Sequence, residues 1–489
     1  MDVYEWSAVG EFVGRDAELA VLEAWWNEAD RTPISLFGRR RCGKSWLVRR
    51  FAHSRRAVVL VAKRTAPGVQ LDDFADRLEP HLGVRPALDS LSDLFRVLFR
   101  AARTEKVLVA IDEFPYLLPS TEPEVERELT AIAAVWEQER DSSQLNLLLC
   151  GSFVAQMESL LAERSPMHGR LRPMRLHPVP YGEARLYLPS LTEPVEAFER
   201  FAITGGMPRY LSALSGPGPV GEVVASRVLD PNGALFAEGR ALLEELREPK
   251  VYFSVLQTLA DGDKESGEIV GALRSDAQKV SKYLAVLEDM RLVTRRLPAG
   301  AEPGARGGHW HLRDPFLRFW FRFVFPFADD LEAGLRPATL WSTEVEPVLA
   351  DHVGVEFEDY MRTWIRATQS VSQVHQWWGN SLNTLRRDGI RTTEEIDAIG
   401  VVRKRVTMVA EARWRRSPMD VGYLNEIEAF KLPALRQSKL KVASEVRIVL
   451  ACLGGYSEGL HELAAERPDI VLVDVVAALA GDPHQATTQ

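Results

Sequence analysis

The sequence has few cysteines, no excess of basic residues and no long apolar run. Only three of its 489 residues are cysteine, and Cys42, Cys150 and Cys452 stand far apart. This pattern excludes a disulfide framework, and no Cys/His cluster has the spacing of zinc ligands. The formal net charge of −9 gives no general attraction to nucleic acid, so any such surface must be local.

Membrane insertion and export are not indicated either. The most apolar run, residues 319–327, is too short to span a bilayer and contains Arg322 and Pro326, so we interpret it as aromatic core. The N-terminus has neither the basic nor the apolar region of a signal peptide. We therefore expect a cytoplasmic protein with no membrane partner, and its length predicts two to four domains.

A glycine-containing loop dominates what the sequence does contain. Residues 38–45 read G-R-R-R-C-G-K-S, which fits the phosphate-loop pattern G-x-x-x-x-G-K-[ST]. Residues 34–37 before it predict a short buried strand, and residues 46–51 after it have apolar positions at helical spacing. Strand, loop and helix together make this pattern specific for a nucleotide site.

Each residue type in the loop pattern has a physical role. Gly38 and Gly43 let the backbone curl so that its N–H groups point at phosphates. Lys44 is predicted to place an ammonium near the β and γ phosphates, and the Ser45 hydroxyl to bind a magnesium ion.

Two further apolar runs predict parallel strands that end in polar residues. Residues 107–113 end in Asp112, which can hold magnesium, and Glu113, which can orient the attacking water. Residues 145–150 precede Ser152, which is expected either to sense the γ phosphate or to cap a helix over 153–162. Strands alternating with helices predict an α/β, doubly wound parallel sheet.

These motifs together resemble a known family, the archaeal-type ATPases of the STAND class, which are relatives of the AAA+ enzymes. The matching segments are Phe12-Val13-Gly14-Arg15, the phosphate loop, Ile111-Asp112-Glu113-Phe114, Gly151-Ser152, His168-Gly169-Arg170 and Gly205-Gly206-Met207-Pro208-Arg209-Tyr210-Leu211. The resemblance implies a P-loop NTPase fold with ATP and Mg2+ as ligands, and a segment, 12–15, that packs near the adenine. It also implies an arginine that reaches a γ phosphate, in cis or from a neighbouring subunit. Arg170 is our candidate, with Arg164 and Arg172 nearby.

The middle of the chain predicts a winged helix-turn-helix. Helices are expected over 251–260, 266–273 and 277–290, and hairpin strands over 292–297 and 309–312. Five basic residues could meet phosphates, although acids lie among them: Lys279, Lys282, Arg291, Arg295 and Arg296. We favour a protein contact for this region, which leaves a homo-oligomer or another protein as partner.

The C-terminal part contains three acids in an ordered pattern. Glu356 lies on a predicted helix, 353–364, Asp397 on a predicted strand, and Glu411 on the next strand, two residues before Arg413. This arrangement resembles the PD-(D/E)XK nucleases, whose α/β fold is restriction-endonuclease-like. The resemblance implies a metal held by Asp397 and Glu411, supported by Glu356, and a closing strand over 470–475.

One position departs from the nuclease pattern, because Arg413 stands where the family has lysine. A guanidinium clamps phosphates but does not give up a proton. Two hypotheses therefore remain open: an ATP-controlled nuclease in which Glu411 and Arg413 are catalytic, or an ATPase switch whose C-terminal domain binds DNA or a protein without cutting. A basic set around the acids favours a phosphate contact: Arg386, Arg387, Arg391, Arg403, Lys404, Arg405, Arg415 and Arg416.

These interpretations predict four regions. They are a P-loop ATPase core over 1–190, a helical lid over 191–247, a winged helix over 248–330 and a nuclease-like domain over 331–489.

Overall fold

The computed structural model describes residues 5, 12–243, 249–302, 304–305, 307–382, 393–481 and 487–488. It divides into two compact units, one comprising Met1–Val179, Met207–Arg209 and Asp289–Arg291, the other Pro180–Gly206, Tyr210–Glu288 and Leu292–Gln489. The first unit thus ends before the predicted boundary at residue 190. Separation of the second unit into lid, winged helix and nuclease-like domain remains a prediction.

The first unit is built on a five-stranded sheet in which every pairing is parallel. Its strands are β1 (Ile34–Phe37), β2 (Ala57–Val61), β3 (Val107–Asp112), β4 (Leu145–Gly151) and β5 (Arg172–Arg175). Its helices are α1 (Asp16–Asn27), α2 (Lys44–Ala52), α3 (Pro67–Leu82), α4 (Leu91–Ala101), α5 (Glu122–Glu139) and α6 (Val154–Ser159). The predicted α/β fold with a parallel sheet is confirmed.

The strand order β2-β3-β4-β1-β5 determines where the predicted motifs meet. Strand β4 lies between β1 and β3, so the carboxyl ends of these three strands are neighbours at one edge. Strands β3 and β4 are buried along their whole length, as expected for parallel strands covered on both faces. The sequence interpretation missed β2, although its run of alanine, valine and leucine is a typical buried strand.

The second unit begins with short helices and continues with three helices and a small sheet. The helices from here to residue 289 are α7 (Tyr181–Ala184), α8 (Pro194–Thr204), α9 (Pro208–Ala213), α10 (Val220–Val224), α11 (Glu238–Leu243), α12 (Pro249–Ala260), α13 (Ser266–Leu273) and α14 (Ala277–Asp289). The first two residues of α9 and the last residue of α14 belong to the first unit. The strands β6 (Lys264–Glu265), β7 (Val293–Arg296) and β8 (His309–Leu312) form an antiparallel sheet in the order β6-β8-β7. The predicted helices and hairpin strands are therefore present.

The rest of the second unit contains a six-stranded mixed sheet in the order β14-β13-β12-β11-β10-β9. The strands are β9 (Gln373–Asn380), β10 (Thr393–Val402), β11 (Arg405–Arg413), β12 (Val442–Cys452), β13 (Ile470–Val473) and β14 (Thr487–Thr488). The helices are α15 (Pro315–Phe323), α16 (Ala328–Glu332), α17 (Pro337–Leu340), α18 (Leu349–Thr368), α19 (Val421–Glu426), α20 (Leu432–Gln437), α21 (Glu458–Glu466) and α22 (Val475–Ala480).

Two features of this sheet differ from the sequence interpretation. Strand β12 was not predicted, yet it separates β11 from the closing strand β13 and pairs in parallel with both. The closing strand ends at Val473 rather than at residue 475, because the Asp474 side chain accepts a hydrogen bond from the Ala477 N–H and caps α22.

The aromatic run is core, as expected. The Asp314 side chain caps α15 by accepting from the Leu317 N–H at 2.9 Å, and almost the whole helix is buried. The Trp320 indole donates to the Phe236 carbonyl at 2.7 Å. Of the helices in the described ranges, none combines the length and apolar character needed to cross a bilayer.

The indole of Trp320 generates a stability prediction, because it packs directly on Gly239. A Cβ at Gly239 would lie 2.3 Å from Trp320 Cδ2, so Gly239→Ala forces the indole to move. We expect a loss of about 1–3 kcal/mol in unfolding free energy, measured by chemical denaturation followed by circular dichroism.

The matched control for this prediction is Gly271→Ala. Gly271 lies within α13, and a Cβ added there would meet no atom within 4 Å, so alanine should stabilise the helix by about 0.5–1 kcal/mol. Equal effects of the two substitutions would show that Trp320 does not constrain position 239.

Candidate functional site

The phosphate loop connects β1 to α2 and is shaped by its two glycines. Gly43 has φ 93°, in the left-handed region, and stands immediately before α2. A Cβ on Gly38 would lie 2.3 Å from the Leu176 carbonyl oxygen, so only glycine fits there. The backbone thus takes the tight path that a phosphate-binding loop needs, ending at a helix N-terminus.

The Lys44 side chain lies across this loop and is buried. Its Nζ donates to the carbonyl oxygens of Gly38 at 2.7 Å and Arg39 at 3.1 Å. The ammonium is therefore held at the loop by neutral acceptors that a phosphate oxygen can replace.

The two residues predicted to hold magnesium are in contact. Ser45 Oγ donates to Asp112 Oδ2 at 2.6 Å, which joins the start of α2 to the end of β3. Burial raises the pKa of Asp112, while the hydrogen bond from Ser45 lowers it, and the net shift is upward. A hydroxyl and a carboxylate side by side suit Mg2+, which takes few protein ligands and keeps waters or phosphate oxygens as the others.

Glu113 adopts an unusual backbone conformation that turns its side chain toward β4. Its φ is 55°, and its carboxylate accepts from Ser152 Oγ at 2.5 Å and from the Ser152 N–H at 3.1 Å. The alternative role for Ser152 as a helix cap is wrong, because α6 begins at Val154 and its N-cap, Phe153, makes no side-chain cap. Ser152 is instead the partner of Glu113.

Arg170 lies at the opposite edge of the sheet from the phosphate loop. Arg172, at the start of β5, pairs in register with Ile34 at the start of β1, whereas the loop follows the end of β1. Arg170 donates to Glu137 at 3.0 Å and to the Pro166 carbonyl at 3.1 Å. This position does not allow it to reach a phosphate bound in cis, so only the role toward a neighbouring subunit stays open.

The two alternatives to Arg170 are placed differently. Arg172 forms a two-pronged ion pair with Glu28 at 2.6 and 3.0 Å, which is a structural contact. Arg164 is exposed. Arg15, in the segment predicted to pack near adenine, is buried and donates to the carbonyls of Cys42 at 2.8 Å and His177 at 2.7 Å, so it braces the phosphate loop.

Sequence reasoning missed an arginine–aromatic cluster beside Glu113 and Ser152. Tyr116 and Phe153 pack edge to face with ring centroids 5.6 Å apart. Arg40 donates to the Tyr116 hydroxyl at 2.9 Å, and the Arg64 guanidinium lies 5.0 Å from the Tyr116 ring. The only sequence signal for this cluster is that Tyr116 lies shortly after Glu113 and Phe153 directly after Ser152.

The second predicted site, in the C-terminal sheet, brings Asp397 and Glu411 together on adjacent strands. Arg413 bridges them, with Nη1 2.6 Å from Asp397 Oδ2 and Nη2 2.8 Å from Glu411 Oε2. Burial lowers the pKa of Arg413, but Asp397 and Glu411 outweigh it, so the guanidinium stays charged. One planar cation therefore occupies the space between the two carboxylates.

Two further residues complete this site and were not found from the sequence. Lys431 is buried, and its Nζ donates to Glu411 Oε1 at 2.6 Å. The Tyr423 hydroxyl donates to Glu411 Oε2 at 3.0 Å. Burial and Asp397 raise the pKa of Glu411 to about 7, against the opposing effects of Lys431 and Arg413. Their distance along the chain from Glu411 explains why spacing did not reveal them.

The helical acid of this site is Glu358, and the assignment to Glu356 is wrong. Glu356 pairs with Arg318 at 2.9 Å. Side chains that are two positions apart on an α-helix point about 200° away from each other. Glu358 therefore faces the sheet, whereas Glu356 does not. Glu358, Asp397 and Glu411 line a cavity of about 10 Å3, room for about one water molecule.

A metal does not fit the C-terminal site as it stands. The facing oxygens of Asp397 and Glu411 are bound by Arg413, and Lys431 holds the other Glu411 oxygen. Within the described ranges, no group of three or more His, Cys, Asp or Glu side chains is arranged to hold a metal ion. The charges of the two carboxylates are already matched by two cations.

The predicted basic set is only partly described. Arg386, Arg387 and Arg391 lie outside the described residues, and Arg403, Lys404 and Arg405 are exposed at the turn between β10 and β11.

The comparisons with known proteins agree with this geometry in the first unit. Residues 12–214 match the family described as an ATPase domain predominantly from Archaea. This match supports an ATPase activity for that part of the chain. Residues 320–429 match a second family, described as archaeal and bacterial proteins of unknown function, so no activity is assigned to the C-terminal region by this match.

Relatives of the chain occur in Methanocaldococcus jannaschii. One is an uncharacterized protein that is 23% identical over 418 residues, covering 83% of this chain and 88% of that protein. Another is an uncharacterized ATP-binding protein, 44% identical over 45 residues, covering 9% of this chain and 76% of that protein.

Similar solved structures come from Pyrococcus. A Walker-type ATPase of Pyrococcus abyssi has a TM-score of 0.49 at 18% identity, covering 66% of this chain and 99% of that one. A STAND protein of Pyrococcus horikoshii with a tetratricopeptide repeat sensor has a TM-score of 0.32 at 14% identity, covering 76% of this chain and 52% of that one.

Glu358 generates a pH prediction. Burial and the nearby Asp397 raise its pKa well above the ordinary value of 4.5, so it stays protonated in the folded protein where the unfolded chain is ionised. The free energy of unfolding therefore falls as pH rises from about 4.5 toward the pKa of Glu358 in the folded protein. The fall due to this group is at most about 1.4 kcal/mol per pH unit. Glu358→Gln should remove this loss.

The measurement is the denaturant midpoint at pH 5 and pH 8. The wild-type midpoint should fall more between these values than that of Glu358→Gln. The exposed Glu466 supplies the control, since Glu466→Gln should keep the wild-type dependence. Identical pH dependence in wild type and Glu358→Gln would contradict a buried, protonated Glu358.

Proposed function

We propose that the protein is an ATP-hydrolysing switch whose C-terminal nuclease-like domain binds a partner and does not cut nucleic acid. The observation that carries the ATPase half is the Ser45–Asp112 contact of 2.6 Å, with the Glu113–Ser152 pair beside it at one edge of the sheet. The observation that carries the other half is the Arg413 bridge between Asp397 and Glu411.

ATP binding in this proposal exchanges hydrogen bonds already present. The loop between Gly38 and Ser45 offers backbone N–H groups to the phosphates. Lys44 turns its ammonium from the Gly38 and Arg39 carbonyls to the β and γ phosphate oxygens. Ser45 and Asp112 would hold Mg2+, which neutralises charge on those phosphates.

Hydrolysis then requires that the Glu113 carboxylate release Ser152 and accept a hydrogen bond from the attacking water instead. Glu113 accepts two hydrogen bonds from Ser152, and an attacking water can replace them on the same carboxylate. Release of Ser152 would free its hydroxyl to donate to the γ phosphate. Arg170 would act only on the nucleotide of a second copy, which makes a homo-oligomer the proposed active form.

The three helices and hairpin of the second unit are proposed to form a winged helix that contacts protein. Its basic hairpin residues are engaged internally, since Arg295 donates to the Ala305 carbonyl at 2.6 Å and Arg296 pairs with Asp263 and Asp359. Lys279 and Lys282 remain exposed on α14. Two isolated lysines make a weak phosphate footprint.

The nuclease alternative is less well supported. Cleavage would need a divalent cation between Asp397 and Glu411, and that space holds the Arg413 guanidinium. Removing one partner from such a buried network leaves an unpaired charge, which costs about 3–5 kcal/mol. The network therefore favours a fixed structural or binding role over an exchangeable metal site.

The ATPase assignment predicts different defects for two substitutions. Lys44→Ala should weaken ATP binding by about ten- to hundred-fold, because an ammonium–phosphate contact is lost. Glu113→Gln should leave binding nearly unchanged and lower kcat by about 100- to 1,000-fold, because the base is lost. Nucleotide binding by calorimetry and phosphate release measure the two effects.

Exposed residues of the same unit provide matched controls. Lys63→Ala and Glu126→Gln change the same charges at exposed positions and should behave as wild type. Equal ATP affinity in wild type and Lys44→Ala would refute the phosphate-loop assignment.

The C-terminal assignment predicts that plasmid DNA stays intact with Mg2+ or Mn2+, with or without ATP. Arg413→Lys, which restores the lysine of the nuclease pattern, should not produce cleavage, because Arg413 and Lys431 balance the acids rather than serve a metal. Asp397→Asn should leave ATP turnover within about two-fold of wild type, since the two sites lie in different units. If wild type cleaved the plasmid and Asp397→Asn did not, the C-terminal domain would be a nuclease and this assignment would be wrong.

A further inference from the structure

A separate cavity in the second unit is lined by arginines. It has a volume of about 430 Å3 and lies among the end of β7, one face of α18 and the start of β9. Its charged lining residues are Arg296, Arg362, Arg366 and Asp359, with His375 at the rim. The volume is within the range of small-molecule sites.

The walls of this cavity belong to regular elements. Asp359, Arg362 and Arg366 follow one another at helical spacing, so they share one face of α18. The Ala299 N–H donates to the Gln376 carbonyl at 3.1 Å, which joins the chain after β7 to β9. The arginine positions are therefore set by backbone structure rather than by a loose loop.

The charges in the cavity do not cancel. Burial opposes ionisation of Asp359, but Arg362 and Arg296 outweigh it and lower its pKa to about 2, so this carboxylate is charged. It is shared by Arg296 and Arg362. Arg366 is exposed, and among the described residues its hydrogen bond is to the neutral Val374 carbonyl, at 3.5 Å. Arg296 also pairs with Asp263, so three guanidiniums meet two carboxylates. Arg366 is the one that has no carboxylate partner among the described residues.

We propose that this cavity binds a phosphate-bearing ligand, with Arg366 and His375 as its exposed contacts and Arg362 as the deeper cation. Guanidinium groups match phosphate oxygens in charge and in two-pronged geometry. Arg362 also donates to the Asp397 carbonyl at 2.6 Å, so a bound phosphate touches a residue that contacts the Asp397–Glu411 site. The phosphate can come from a free nucleotide or from a nucleic-acid backbone.

The sheet register provides a way to distinguish a free nucleotide from a nucleic-acid backbone. Gln373, next to the cavity residues of β9, pairs with Val401, and the exposed turn with Arg403 and Lys404 follows directly. The turn therefore lies at the same end of the sheet as the cavity. A nucleic-acid strand is long enough to reach both, whereas a free diphosphate fills only the cavity.

The first experiment measures pyrophosphate binding by calorimetry in the full chain carrying Lys44→Ala, which weakens the phosphate-loop site. Adding Arg366→Ala should lower the remaining affinity by about ten-fold, because one charge-assisted contact is lost. Arg227→Ala removes an exposed arginine from elsewhere in the same unit and should change nothing. Equal affinities with and without Arg366→Ala overturn the proposal.

The second experiment uses a short duplex DNA with the same proteins at several salt concentrations. Weaker DNA binding in both Arg366→Ala and Lys404→Ala, with pyrophosphate binding lowered only by Arg366→Ala, identifies a nucleic-acid backbone as the ligand. Pyrophosphate binding that depends on Arg366, without DNA binding by wild type, identifies a free nucleotide. DNA binding that is unchanged by Arg366→Ala, together with unchanged pyrophosphate binding, shows that the cavity takes neither.

Discussion

The parallel alignment of β1, β4 and β3 is the constraint on which the chemistry of this protein depends. Because these strands are adjacent and point the same way, the phosphate loop, Ser152 and the Asp112–Glu113 pair all emerge at one edge. The Ser45–Asp112 hydrogen bond shows that the start of α2 and the end of β3 are in direct contact. The same alignment places Arg170 at the other edge, away from the phosphate loop.

In the second unit, the balance of charges around Asp397 and Glu411 is the corresponding constraint. Asp397 and Glu411 meet as an acidic pair, yet Arg413 and Lys431 satisfy them within the fold. A buried network with all its charges matched is costly to open, so it stabilises one arrangement rather than exchanging ligands. In the cavity, Arg366 has no carboxylate partner among the described residues, and it is there that we propose a ligand from outside.

Much of this could be predicted from the sequence where the signal was local. The phosphate loop and β3 each follow from a short apolar run with a distinctive terminus, and the aromatic run at 319–327 could be predicted to be core. Residues brought together by tertiary packing were beyond such reasoning: Lys431 reaches Glu411 from a later helix, and Tyr116 reaches Arg40 across the sheet edge. The sequence pattern predicts Glu356 and does not reveal Glu358, because helical phase relative to the sheet is not visible from spacing alone.

The most direct test of this account is anomalous diffraction from manganese in a crystal grown with Mn2+ and a non-hydrolysable ATP analogue. We expect a manganese peak between Ser45, Asp112 and the analogue's phosphates, with Arg413 still bridging Asp397 and Glu411. A manganese peak between Asp397 and Glu411, with the Arg413 guanidinium displaced, would contradict the claim that the C-terminal site is closed to metal.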